Sequence, residues 1–369
     1  MVLDSFERTN LQNQIVDVNS TSKERIDYID FLRVIAMFMV VTIHVAAYYL
    51  FDPTVAIGSK IWLIAHFFYT LSRSAVPVFI MISGLLQLSS ERTLSITSYL
   101  RKKAFRIILP LVFWSIIYLF WQSYKTGEAI NVKDFLLNFL SGDVYFHLYF
   151  LYLIFGLFLL TPLLRAFVGS AKKQDLLYAI GLWLLAVAVF PLLQTFWGIR
   201  FYDLLIPISG YIGYYLAGYY FSKISRVKNY ILVIIWMIAN LVSYFGTLMM
   251  SKKAGEVDPF FYNYTSLTVI ASAMALFVFV KQLDFPGFYA RFPKLGKFFS
   301  LAASASYSVY LDHLILLDML FMGTLGITVS INTFDPIVGI PLITAVVTII
   351  PGLIVLVLRR IPIIRWLFP

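Results

Sequence analysis

The stretch YIDFLRVIAMFMVVTIHVAAYYL, residues 28–50, is apolar enough for a lipid interior, yet it carries Asp30, Arg33 and His44. A charged group at the centre of a bilayer costs about 2.5–3.5 kcal/mol on insertion scales, so such groups usually face a cavity or a partner. Asp30 precedes Arg33 by three residues, a helical spacing at which the two can pair. Arg33 and His44 are eleven residues apart, close to three turns, so they share a helix face with His44 about 16 Å further along the axis. Such a stripe could line a path that begins at a guanidinium and ends at an imidazole. Six more ionisable residues fall within or at the rim of apolar stretches: His66, Arg73, His147, Asp312, His313 and Asp318, so all four histidines of the chain are in the set. His44 lies deep in its stretch with no neighbouring charge, which favours a functional role over a packing one. His66 and His147 read as interfacial residues at span ends. Asp312 and His313 are sequence neighbours, and on a helix they diverge by about 100°, which argues against their direct pairing. The run RKKAFR supplies Arg101, Lys102, Lys103 and Arg106 just before Pro110. It suits anionic lipid headgroups or the phosphates of a nucleotide-bearing ligand, with Arg106 the better shaped for bidentate contacts.

The elements that must position these groups follow from composition. Of 369 residues, 60% are hydrophobic and 13% charged, with a mean hydropathy of +0.84. A soluble domain would carry about 25% charged residues. The apolar runs are continuous rather than alternating, which excludes a transmembrane β-barrel and gives an all-α polytopic membrane bundle. Ten spans are expected, near 28–51, 60–88, 105–123, 144–164, 176–196, 202–222, 229–250, 262–281, 298–322 and 337–358. The second holds Arg73 and Pro77 and is expected to kink or break there. With the N-terminus inside, interior segments hold 21 Lys and Arg and exterior loops six, which orients both termini to the cytoplasm. Residues 1–27 then form a polar cytoplasmic tail without a cleavable signal, and 28–369 the membrane domain. The +10 net charge is what basic cytoplasmic loops produce, so no nucleic-acid partner is expected. There are no cysteines, which removes disulfides, thiolate nucleophiles and zinc–sulfur sites. No G-x-S-x-G nucleophile elbow occurs. GYIGYYLAGYY (210–220) and SLAASASYS (300–308) read as small residues for close helix packing. Trp114, Trp121, Trp197 and Trp366 fit interfacial belts. The buried charges would also suit a proton-coupled exporter of a saccharide or lipid-linked precursor. Against that, no inverted repeat is evident.

Five segments together resemble the acyltransferase-3 family of integral membrane acyltransferases, over essentially the whole chain after residue 27. DFLRVIAMFMVVTIH is similar to the family's first-helix arginine and histidine, here Arg33 and His44. SRSAVPVFIMISGLL resembles its arginine–proline–serine–glycine segment, giving Arg73, Pro77, Ser83 and Gly84. RKKAFRIILP resembles its basic run ending in proline. HLYFLYLIFGLFLLTPLL is similar to its fourth-helix motif, beginning at His147, with Tyr149 where tryptophan is common. SYSVYLDHLILL is similar to a late motif, giving Tyr307, Tyr310 and His313. The resemblance implies transfer of an acyl group, usually acetyl, from cytosolic acyl-CoA to a hydroxyl of an envelope glycan or lipid-linked sugar, with no metal. It implies a catalytic His44 and an Arg33 important for the donor; His44 is read as a general base, with a covalent acyl-His44 intermediate as the alternative. On that basis Arg73, Lys102, Lys103 and Arg106 are expected at the donor. Asp30, Ser83, His147, Tyr307 and His313 are expected at the acceptor or in support. No appended SGNH-type hydrolase domain is expected.

Overall fold

A computed structural model describes residues 3–90, 95–199, 210–361 and 367–368, with side chains from residue 27 onward. The described residues form helices and no strands. Nine helical segments are long and apolar enough to cross a membrane. Of the expected span 202–222, residues 202–209 lie outside the described residues.

The first helix, α1 (Leu3–Leu50), continues without interruption from the polar tail into the first span. Its membrane part is apolar almost all round, which marks a central helix, and Leu32, Val41, Val45, Ala46 and Tyr49 are fully buried. The second span is broken, as Arg73 and Pro77 suggested: α2 (Lys60–Ser72) ends at Arg73 and α3 (Ala75–Leu88) begins after Ser74. Pro77 is tolerated because it falls in the first turn of α3, where backbone N–H groups have no helical partner anyway. The third span, α4 (Ile96–Thr126), is longer than the apolar run because Ser95 caps it and draws RKKAFR into its first turns. The basic run is therefore part of a helix. Next come α5 (Val132–Ser141), an unforeseen short helix with Leu136, Leu137 and Leu140 exposed, and α6 (Tyr149–Ser170). Residues 144–148, expected in the span, form the turn that leads into it.

A span of α7 (Lys173–Leu184) and α8 (Phe190–Trp197) is joined by a π-helical turn, Leu185–Val189. Pro191 explains the wider turn, because its ring would strike the carbonyl of Val187 in a regular helix. Then follow α9 (Ile212–Lys223), α10 (Asn229–Ala254), α11 (Leu267–Lys281), the short α12 (Phe285–Arg291), α13 (Pro293–Met322) and α14 (Pro336–Leu358). The α1 helix packs against α2, α3, α13 and α14, so it forms the bundle's axis.

The glycine-rich α9 lies against α3 at backbone contact. A Cβ on Gly218 would overlap the carbonyl of Met81, and one on Gly84 the carbonyl of Tyr215. Both obstacles are backbone, so neither helix can yield locally. Gly218→Leu is accordingly expected to push α9 off α3, at a cost of about 1–3 kcal/mol or more. A lowered unfolding temperature in detergent, followed by size-exclusion fluorescence, checks this. An unchanged temperature would refute the close-packing account.

Candidate active site

The spacing along α1 places Arg33 and His44 in two different cavities at different depths. His44 lines a cavity of 380 Å³ with Arg73, His147, Tyr149, Tyr264 and Tyr310 among its walls. Arg33 lines a second, of 460 Å³, with Ser83, Lys103, Arg106, Tyr307 and Arg359.

The charged and imidazole groups at the histidine cavity come from separate elements. His44 comes from α1, Arg73 from the break between α2 and α3, His147 from the turn before α6, and His313 stands behind on α13. The His313 ring lies 5.2 Å from that of His44 and 5.7 Å from that of His147. Three histidines distant in sequence thus meet, while the fourth does not. His66 is fully buried elsewhere, donating Nε2–H to the Tyr244 carbonyl at 2.8 Å and accepting from the Tyr262 hydroxyl. The interfacial reading of His66 and His147 is therefore corrected. Both are buried, because each ring finds polar partners inside the bundle.

Hydrogen bonding fixes two tautomers, since a carbonyl can only accept. His313 Nδ1 bonds the carbonyls of Val309 at 3.0 Å and Tyr310 at 2.9 Å, so Nδ1 carries the proton. Its Nε2 lone pair has no hydrogen-bond partner. His147 Nε2 faces the Leu311 carbonyl at 3.4 Å, which leaves its Nδ1 bare and without a partner. Asp312 does not pair with His313; its Oδ1 is buried without a hydrogen bond.

Arg73 is held by neutral groups. Nε donates to the Tyr262 carbonyl at 2.6 Å, one terminal nitrogen donates to the Tyr264 hydroxyl at 3.1 Å, and the guanidinium lies 3.8 Å from the Tyr264 ring centroid. Among the described residues no carboxylate neutralises it, so a positive charge stands in the wall of the histidine cavity. Beside it the Tyr149 hydroxyl is buried and makes no hydrogen bond. Tyr149, Tyr211 and Tyr264 were not singled out from sequence as site residues. Only Tyr149 carried a signal, its place two residues after His147.

The second cavity collects cations from two helices, α1 and α4, and from the end of a third, α14. Arg33, Lys103, Arg106 and Arg359 line it, and no acidic residue is among its described walls. Asp30 pairs with Arg33 at 3.8 Å, as the spacing suggested, from outside the lining. Arg359 is anchored to the carbonyls of Ser304 and Phe368, each at 2.7 Å. Lys102 is exposed and does not line the cavity, because it sits about 100° round α4 from Lys103. Arg73, expected with this group, lies in the other cavity.

One further polar cluster braces the histidines. Asp318 Oδ2 accepts from Trp121 Nε1, Lys125 Nζ and the Tyr145 hydroxyl, each at 2.8 Å, and Oδ1 accepts from the Tyr48 hydroxyl. Tyr48 is one turn beyond His44, Tyr145 two residues before His147, and Asp318 five after His313. Two tryptophans read as interfacial thus have other duties. Trp121 serves this cluster, while Trp114 is buried and bonds the Leu367 carbonyl at 3.3 Å. Trp197 is exposed, and Trp366 lies outside the described residues. Removing one partner of a buried ion pair costs about 3–5 kcal/mol. Asp318→Ala is therefore expected to lower the unfolding temperature and turnover together. Asp318→Asn, which keeps an acceptor, should do so less; equal losses in the two variants would refute the bracing role.

Among the described residues no group of three or more ligands is arranged to hold a metal ion. The chain matches the model of the acyltransferase-3 family, described as an acyltransferase domain, over residues 26–356. No curated protein and no solved structure matches it. With that match spanning nearly the whole helical bundle and its apolar helices, the chain belongs to the acyltransferase-3 family and is a multi-pass membrane acyltransferase.

Proposed function

We propose that the protein moves an acyl group, acetyl above all, from cytosolic acyl-CoA to a hydroxyl of an envelope glycan or lipid-linked sugar outside the plasma membrane. The observation that carries this reading is the pairing of two cavities. Among the described residues one is lined by four cations and no carboxylate, and the other by His44 and Arg73. Anionic phosphates suit the first, where Arg33, Lys103, Arg106 and Arg359 can each donate charge-assisted hydrogen bonds. Both termini are taken as cytoplasmic, which turns this cavity toward the donor's compartment. The narrow pantetheine arm then extends along α1 toward His44.

At His44 an unprotonated ring nitrogen takes the proton of the acceptor hydroxyl as its oxygen attacks the thioester carbonyl carbon. The Tyr149 hydroxyl and the Arg73 guanidinium are placed to donate to the oxyanion that forms. Collapse breaks the carbon–sulfur bond, and the thiolate leaves with the proton from His44. His147 contributes a second bare nitrogen for the acceptor, and His313 backs both rings. Ser83 and Tyr307 line the donor's path, and Asp30 orients Arg33.

The test is purified protein in liposomes supplied with radiolabelled acetyl-CoA and fractionated envelope glycans. Label passing to a glycan hydroxyl, or released by hydrolysis, in a manner that requires His44 is the expected result. Saccharide flux without acyl turnover would overturn it and favour an exporter.

A further inference from the structure

The two cavities share one residue among their described walls, Tyr310. Tyr310 is 6% exposed, and its ring is braced by Phe150 at 5.4 Å and by the His147 ring at 5.5 Å. Its hydroxyl donates to the backbone carbonyl of His147. Leu311, the next residue of α13, supplies the carbonyl that holds His147 Nε2. Adjacent positions of one helix thus hold the carbonyl and the ring of His147, whose carbonyl also accepts from the Phe150 backbone N–H at 3.3 Å.

We propose that Tyr310 is the partition of the acyl path: a positioning residue that closes the passage at rest and must swing aside for the acyl end of the donor to reach His44. This rests on the acyltransferase reading above and goes beyond it in two ways. First, the opening left by the displaced ring sets the width of acyl group admitted. Slender acyl groups such as acetyl pass, whereas branched or aromatic ones meet Phe150 and the aromatic wall. Second, the swing removes one of two donors to the carbonyl of His147, leaving the Phe150 N–H, while Leu311 still holds its ring. Arrival of the donor is thereby signalled to the turn that presents His147 to the acceptor. No bond to Tyr310 forms or breaks apart from this hydrogen bond.

The chain has no cysteine, so a single introduced thiol reports without background. Ala47 lines the histidine cavity and not the cationic one. Ala47→Cys in sealed vesicles of either orientation is treated with an anionic, membrane-impermeant thiosulfonate. With Tyr310 in place, reagent on the side of the cationic cavity is expected to leave the thiol unmodified. Tyr310→Ala, or Tyr310→Leu if the alanine variant does not fold, should speed modification from that side at least tenfold. Tyr310→Phe, which keeps the ring, should remain slow. Rapid modification with Tyr310 present, or no acceleration in folded small-residue variants, would overturn the partition.

A second readout uses chemistry. The ratio of acetyl-CoA to benzoyl-CoA turnover is expected to fall at least tenfold in the small-residue variant; a ratio unchanged in that folded, active variant would overturn the width control. The thiol assay needs no acyl-CoA. A positive thiol result with no turnover of either thioester in the native background would uphold the partition and refute the donor reading.

Discussion

Replacing His44 with glutamine is expected to abolish acyl transfer, lowering kcat by about 10²–10⁴-fold, the range general-base catalysis supplies. Glutamine fills similar space and retains hydrogen-bonding groups but cannot take a proton. The cationic cavity lies about three turns of α1 away, and His44 is not among its walls. The KM for acyl-CoA should therefore change by less than about threefold, since an interaction made only in the transition state appears in kcat and not in KM. Steady-state release of free CoA thiol, with folding checked by size exclusion, measures both constants. The contrast with His66 sharpens the test. His66→Gln removes a ring bonded to Tyr244 and Tyr262 in the packed core, so it should lower the unfolding temperature. A His44 variant that loses stability and keeps its turnover would remove His44 from the chemistry.

Reversing charge at Lys103 and Arg106 together is expected to raise the KM for acyl-CoA by at least about 10²-fold. Hydrogen bonds to charged groups are worth about 1.5–3 kcal/mol each, and every 1.4 kcal/mol is about tenfold in affinity. The reversal also sets carboxylates beside the donor's phosphates, which adds repulsion. Lys102→Glu is the decisive companion. It makes the same charge change one residue away, on an exposed side chain outside the cavity. Exposed charges contribute about 0–1 kcal/mol, so its effect should stay within about fivefold. If the basic run serves lipid headgroups instead, Lys102 and Lys103 should matter alike. Isothermal titration of CoA into detergent-purified protein separates the two outcomes.

The parts of this site visible in the sequence are those that violate the composition of their surroundings. Arg33 and His44 stand out because an apolar helix has no structural use for them. The break at Arg73 was legible because a cation and a proline fall in one span. What stayed hidden is partnership. His44 and His66 sit in similar apolar stretches, and only the Tyr244 carbonyl and the Tyr262 hydroxyl show that the second is a satisfied core residue. Lys102 and Lys103 are the same residue type, separated by a rotation whose outcome depends on which face of α4 meets α6 and α13. Arg359 counted merely as one of the basic residues after the last span, and its chain folds it back against α13. Tyr149 is one tyrosine among 24. Its interest lies in an unpaired hydroxyl, a property no spacing reveals. Helix limits diverged where capping overrode hydropathy, as at Ser95, which carries α4 well past its apolar run.

On the proposed acyl path, a Tyr310 partition between the two cavities would also have a bioenergetic consequence. A cell that threads a thioester across its membrane opens a route that small ions could follow. Each elementary charge running down a 100 mV potential dissipates about 2.3 kcal/mol. A phenol ring that fills the waist of the route whenever no donor is threaded through it would let the cell modify its exterior without short-circuiting its proton-motive force.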